Sequence, residues 1–531
     1  MKSFIQILVI TLCVAASVSC KKIIEVQPQA NIGAENFYNN FNEANVALTG
    51  CYYGLQKSLD NEWMMTELRS DNAKQGAPTS TNATNLELNK INMYAANPTQ
   101  PFIYTYWLNT YTNINSINYV LASLGVEYNN GAITLTANPR AKMEDAQRKS
   151  LAGQALFLRA YHYFNLVRLW GGVQIVAKIY LPEELKKLNR ASVNDCYTFI
   201  AADLKAAADW LPATPYSKIV SDDLGRATQW AAKSLLAKLY LTTGNKADAL
   251  TLLNDVINNS GYGLETTYGS VFSITNEMNK EILFAIRFKA GGLGLGSPLG
   301  NYFAPVSSGS AVILGDGSGY NFPTTSIYNG YKTLVSGAVD GRKAVTVDQY
   351  TSSKQYVKKF TSPVKIKFDG ENDFPVIRFA DVLLMKAEAT GFDGENGSSV
   401  TIINQIRKRA GAANYATGVS FVTGFYLYPT TASDPNAISS QDEFLNALLD
   451  ERRYEFAFEN QRLFDLQRTG KFAEVMKNYF ASEYSSHYSK YKPALTLAEL
   501  QTNVDKRPLL PIPQREIDTN NEIAIQQNSG Y

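Results

Sequence analysis

Residues 226–257, RATQWAAKSLLAKLYLTTGNKADALTLLNDVI, restrict the fold of this chain more than any other stretch. Trp230, Ala231, Leu235, Ala237, Leu239 and Tyr240 fall on one helix, and Ala247, Leu250, Leu253 and Val256 on a second, with Gly244 and Asn245 turning the chain between them. Small residues beside large ones let two such helices approach closely. A hairpin of this kind cannot bury its apolar faces alone, so it needs further hairpins stacked against it. The chain has the material for that: 531 residues, 45% of them hydrophobic and 18% charged, enough for a large core without covalent or metal staples.

Helical periodicity recurs over 35–58, 101–124, 140–170 and 192–211, besides 226–243 and 245–259. A second hairpin is expected from FPVIRFADVLLMKAEAT (374–390) followed by SSVTIINQIRKRAG (398–411). Both units resemble degenerate tetratricopeptide repeats. Between them the texture changes. EILFAIRFKA (281–290) alternates like a strand, and GGLGLGSPLGNYFAPVSSGSAVILGDGSGYNFP (291–323) has no helical period. Residues 270–373 are therefore expected to be an irregular insertion, and 69–100 a shorter loop of similar polar and aromatic character. Long irregular segments in a compact protein tend to carry function.

Tests for catalysis fail. Gly292, Gly294 and Gly296 follow a strand, but their spacing is not GxGxxG and no helix follows to face a phosphate. No GxSxG or GxxxxGK[ST] occurs, and nothing links the two histidines, His162 and His487, to a serine or cysteine. His162 lies in RAYHYFNLVRLWGG (159–172), a helix apolar on almost every face. Its polar neighbours Arg159, Asn165 and Arg168 drift around the helix, so His162 is read as a core residue with a buried partner. In LLDERRYEFAFEN, Asp450, Glu451, Glu455 and Glu459 alternate with Arg452 and Arg453, which predicts paired structural carboxylates rather than a glycosidase acid. DGEND (369–373) and DGENG (393–397) fit no EF-hand pattern and are read as solvated turns. No CxxC or Cys/His cluster suggests a metal, and no cofactor is expected. Lys and Arg number 50 against 48 Asp and Glu, without a basic run of five or more, which argues against nucleic acid.

The first twenty residues, MKSFIQILVITLCVAASVSC, read as an export signal over 1–19, too short to span a membrane comfortably. SVSC resembles a lipobox, which makes Cys20 the lipidated residue, 20–33 a tether and 34–531 the folded domain. Cys51 and Cys196 then remain, either free or paired.

Five stretches in order carry a denser likeness: SVSC, LRAYHYFNLVRLWGG (158–172), DFPVIRFADVLLMKAEA (373–389), LLDERRYEFAFENQRLFDLQRTGKF (448–472) and LPIPQREI…QQNSGY (510–531). Together they resemble the SusD/RagB family of outer-membrane nutrient-binding lipoproteins. The resemblance implies a mainly α fold in which four tetratricopeptide-like helix pairs support an irregular, loop-rich ligand-binding region. It implies a lipid-anchored, cell-surface location in Bacteroidota, no catalysis, and a SusC-like TonB-dependent transporter as partner. The ligand is expected to be a glycan, with a RagB-like oligopeptide receptor as the alternative. In glycan-binding members the site uses loop aromatics and a few polar residues. Matching regions here offer Arg69, Asp71, Asn72, Tyr94 and the helical, weaker Trp107, then Tyr302, Phe303, Tyr320, Phe322, Tyr328 and Tyr331.

Overall fold

A computed structural model describes residues 37–332, 339–352, 354–416, 419–520 and 522–531. The export signal, Cys20 and the tether lie outside the described residues. Ten helices of twelve or more residues build the scaffold among those described: α1 Phe41–Thr66, α2 Pro101–Ser123, α3 Asp145–Trp170, α4 Val193–Trp210, α5 Gln229–Thr242, α6 Lys246–Asn259, α7 Phe379–Thr390, α8 Ser398–Arg409, α9 Gln441–Glu455 and α10 Phe472–Glu483.

The first eight pack as four successive pairs, α1 with α2, α3 with α4, α5 with α6 and α7 with α8, and α4 on α5 and α6 on α7 join one pair to the next. Local chemistry sets the turns. Thr228 caps α5 by accepting from the amide of Ala231. Gly244, at φ 83°, then turns the chain, and Asn245 caps α6 through the amide of Asp248. Helix α3 is buried on all sides from Leu151 to Trp170 except at the half-buried Arg168, as its apolar pattern predicts.

Two expectations change. FPVIR is not the start of a helix: Phe374–Arg378 is a buried strand, β8, paired antiparallel with β4 (Ile282–Ile286), and α7 begins only at Phe379. Pro375 interrupts helical donation while the β-branched Val376 and Ile377 suit a sheet. The 69–100 region is not all loop, because Ala83–Asn92 forms a helix capped by Asn82. The remaining strands are short: β1 Ala73–Lys74 with β5 Phe322–Pro323, β2 Val126–Asn129 with β3 Ala132–Leu135, and β6 Val347–Thr351 with β7 Lys354–Val357. The β1–β5 ladder joins the two loop regions singled out in the sequence.

Long-range polar contacts close the structure. The indole of Trp170 donates to Pro511 O at 2.8 Å, Asn528 donates to Trp170 O at 2.8 Å, and Arg190 donates to Gln526 O at 2.6 Å. The C-terminal tail thus seals the end of α3. In the other half, Arg378 is buried among carboxylates, reaching Glu281 at 2.7 Å, Glu455 at 2.8 Å and Glu459 at 2.8 Å. Arg342 reaches Glu451 at 2.6 Å, and Lys359 reaches Glu459 at 2.8 Å. Glu451, Glu455 and Glu459 are therefore paired within the frame, as their spacing among arginines predicts, whereas Asp450 of the same stretch lies exposed. Cys51 and Cys196 are both buried and free.

Candidate functional site

The polar row of α3 finds its partners inside the protein. Arg159 holds Asp203 through two bonds of 2.8 Å, and His162 Nε2 lies 2.8 Å from the amide nitrogen of Asn113. Burial pulls the His162 imidazole down to about 3, so it stays neutral and unsuited to proton transfer near pH 7. Asn165 donates to Glu62 and also accepts from Arg168, so the last two residues of the row share one neighbourhood rather than having separate partners.

The first group of sequence candidates forms a buried knot. Arg69 donates to Arg507 O at 3.1 Å and Pro508 O at 2.9 Å, stacks over the ring of Tyr94 at 4.7 Å, and its own carbonyl accepts from the Tyr94 hydroxyl. Asp71 is held by Arg462 at 2.8 Å and Arg453 at 3.1 Å. Burial alone would raise its carboxyl, but these two guanidinium groups bring it down to about 2. Asn72 accepts from Arg453 at 3.0 Å, and its backbone carbonyl accepts from Thr324. Arg69, Asp71, Asn72 and Tyr94 are each at most 4% exposed. Phe303 packs edge-on to Trp63 at 5.3 Å, and Tyr331 packs on Tyr454 at 5.0 Å; both are fully buried. Trp107 is buried against Trp170. Phe322 is partly exposed beside Gly76, and Tyr328 sits apart, bonded to Gln349 with Lys343 over its ring.

Tyr302 and Tyr320 do come together. Their rings lie 5.7 Å apart, and Phe368 stands 5.4 Å from Tyr302 on another side. Trp63 supports Tyr302 from beneath at 6.4 Å. Tyr302 and Phe368 line an open cleft of about 320 Å³, together with Gln56, Lys57 and Asp60 of α1 and the glycine-rich rim at Gly292, Gly294 and Gly296. The rings of Tyr302 and Phe368 are inclined at 51° to each other, so they offer a curved apolar face rather than a flat one. Burial, opposed by Lys57, raises the Asp60 carboxyl to about 6. Burial, then the charge of Asp60, pushes the Tyr302 phenol up to about 12, so at neutral pH it is a fixed hydroxyl donor. Stacking rings beside a carboxylate, an ammonium and a phenol suit a ligand with apolar C–H faces and many hydroxyls.

Phe368, Asp60 and Lys57 were not among the sequence candidates. Phe368 is 39% exposed, sits at φ 64°, and donates its amide to Asn301 at 2.9 Å. A large residue kept in that conformation is uncommon and marks a constrained position. The aromatic before DGEND was its only signal in the sequence. Asp60 and Lys57 had none, because the cleft residues that face them, from Phe288 to Phe368, come from a distant part of the chain. DGEND itself binds backbone amides, and Asp393 of DGENG caps Ser398 and Ser399. Among the described residues no cluster of three or more His, Cys, Asp or Glu is arranged to hold a metal.

Four stacked helix pairs carrying a loop-built aromatic cleft define the class as a tetratricopeptide-like scaffold with an irregular half. Residues 35–241 match the family model described as "Starch-binding associating with outer membrane", and residues 310–531 the one described as "SusD family". The chain belongs to the SusD/RagB family. Among curated relatives, SusD-like protein P2 of Formosa agariphila is 24% identical over 96% of both chains, and SusD-like protein P25 of the same organism is 25% identical over 99% of both. Among solved structures, a laminarin-binding SusD-like protein superposes with a TM-score of 0.70 at 23% identity, covering 93% of this chain and all of the other. Surface glycan-binding protein A from Bacteroides thetaiotaomicron, in complex with laminarihexaose, gives 0.68 at 20% identity over 92% and 99%. No helix among the described residues is long and apolar enough to cross a membrane.

Proposed function

We propose that this protein is a non-catalytic, cell-surface glycan receptor, anchored to the outer membrane through lipidated Cys20, that passes its ligand to a SusC-like TonB-dependent transporter. The observation that carries the reading is the cleft itself: Tyr302, backed by Tyr320, and Phe368 offer tilted rings next to Asp60 and Lys57. Sugar rings stack their C–H faces on such a surface while their hydroxyls use the charged groups. The description of the family as starch-binding and outer-membrane associated, and the laminarin ligands of two structural neighbours, support the same class of ligand. Curvature of the aromatic face favours short or curved chains over long flat ones. The buried residues Arg69, Asp71, Asn72, Tyr94, Phe303 and Tyr331 hold the loops that present this face.

Calorimetry against a panel of polysaccharides tests the reading. Tyr302→Ala and Phe368→Ala should each weaken binding by about 1–3 kcal/mol, in line with the loss of one stacking ring. Unchanged affinity in both variants would move the site elsewhere. Heterogeneous peptides in the protein co-purified with its transporter would replace the glycan with the RagB-like alternative.

A further inference from the structure

The tip of the cleft's rim is exposed and rich in glycine. Leu293 there is 69% exposed, and Gly291, Gly292 and Gly294 take φ values of 126°, 73° and 73° that most side chains resist. Such a segment would ordinarily sample many shapes. Here it is clasped by acids of the facing strand-like segment. Asp369 Oδ2 accepts from the amides of Gly291 at 2.8 Å and Gly292 at 2.9 Å. Glu371 accepts from the amide of Ala290 at 2.9 Å and from Lys289 Nζ at 2.6 Å. Asp373 accepts from the amide of Phe288 at 2.8 Å and pairs with Arg287 at 2.7 Å.

Residues at i, i+2 and i+4 of an extended segment share one face, which is how DGEND aims three carboxylates at one loop. Left-handed backbone at successive glycines turns neighbouring amides towards a single anion. From the other side, a Cβ placed on Gly296 would lie 2.1 Å from Asp369 Oδ1, so Gly296 leaves the space that the carboxylate fills. Phe368, the stacking ring, directly precedes Asp369, and both line the cleft. One dipeptide therefore sets both the ring and the rim that faces it.

We propose that Asp369 is a positioning residue, assisted by Glu371 and Asp373, that holds the glycine-rich rim in the shape that admits ligand. This rests on the cleft being the glycan site. Binding to a rim already ordered avoids the entropy of ordering it. The test combines calorimetry with amide hydrogen exchange on the ligand-free protein. Asp369→Ala should speed exchange at residues 290–292 and weaken glycan binding by about tenfold, with the melting temperature nearly unchanged. Asp369→Asn keeps an oxygen for the two amides and should restore most of both. Glu371→Ala, outside the cleft lining, should loosen Ala290 and weaken binding by a smaller factor, which a residue contacting sugar directly would not require.

Slow exchange at the rim in Asp369→Ala, or a freed rim with unchanged affinity, would overturn the clasp. Absence of glycan binding by the unaltered protein would instead sink the function proposed above, and a freed rim in Asp369→Ala would then mark a purely structural fastening. Should Asp369→Ala fail to fold, fast rim exchange with intact affinity in Glu371→Ala would be equally decisive against the clasp.

Discussion

Two residues illustrate how burial separates chemistry from support. Asp60 faces the cleft and titrates near pH 6 because partial burial raises its carboxyl, with Lys57 pulling against the rise. In the proposed glycan site its carboxylate would accept charge-assisted hydrogen bonds from sugar hydroxyls, and the acid form would lose that strength. Glycan affinity should therefore fall as pH drops from 7 to 5, and Asp60→Asn should flatten the profile, as titration calorimetry across that range would show. The sign for stability is opposite. A folded-state pKa above the unfolded value disfavours the fold as pH rises through that window, so Asp60→Asn should match or exceed the native melting temperature at pH 7. His162 is the contrasting case, neutral in the core with Asn113 as its partner. His162→Gln should leave ligand binding intact and lower stability by about 1–2 kcal/mol, measured by urea unfolding. A folded variant that no longer binds glycan would contradict this.

At the scale of elements, the sequence exposes what repeats and hides what only tertiary contact decides. The hairpin of α5 and α6 is legible to within three residues at each end, because its caps and Gly244 are local signals. The strand FPVIR is not, since four apolar residues and Arg378 running into an apolar helix show no change of period, and only pairing with Ile282–Ile286 decides the matter. The site divides in the same way. Tyr302 and Tyr320 could be picked out as loop aromatics, whereas their buried neighbours Phe303 and Tyr331 look identical in sequence, and Asp60 is recruited from a helix by folding alone. Gly172 offers a test at this scale. A Cβ there would meet the carbonyl oxygen of Ala191 at 2.1 Å, while one at Gly263 meets nothing within 4 Å. Gly172→Ala should lower stability by roughly 1–3 kcal/mol through forced displacement of the turn after α3, with Gly263→Ala near neutral by the same melting measurement.

The whole molecule is held by charge as well as by its core. Arg378 touches three carboxylates drawn from positions 281, 455 and 459, tying the strand pair β4–β8 to the end of α9. Removing that guanidinium would leave three buried carboxylates short of a shared cation, with Arg409 on Glu281 and Glu455 and Lys359 on Glu459 offsetting part of the loss. Arg378→Met should destabilise by roughly 3–5 kcal/mol in equilibrium unfolding, and a loss below about 1 kcal/mol would mean that the carboxylates relax by taking up protons. Helix pairs stacked along the chain supply a framework on which such cross-links form, and the loops that build the cleft are fixed to it from two directions.

The tail that seals α3 has a consequence for the history of each molecule. Trp170 finds its hydrogen-bond partner at Pro511, and Arg69 finds two at Arg507 and Pro508, more than 330 positions further along. Contacts of such span form last and slowly, because the intervening chain must first be gathered in. During synthesis, hairpins such as α5 with α6 can close as soon as both helices exist, whereas the seal on α3 has to wait for the segment from Arg507 onward.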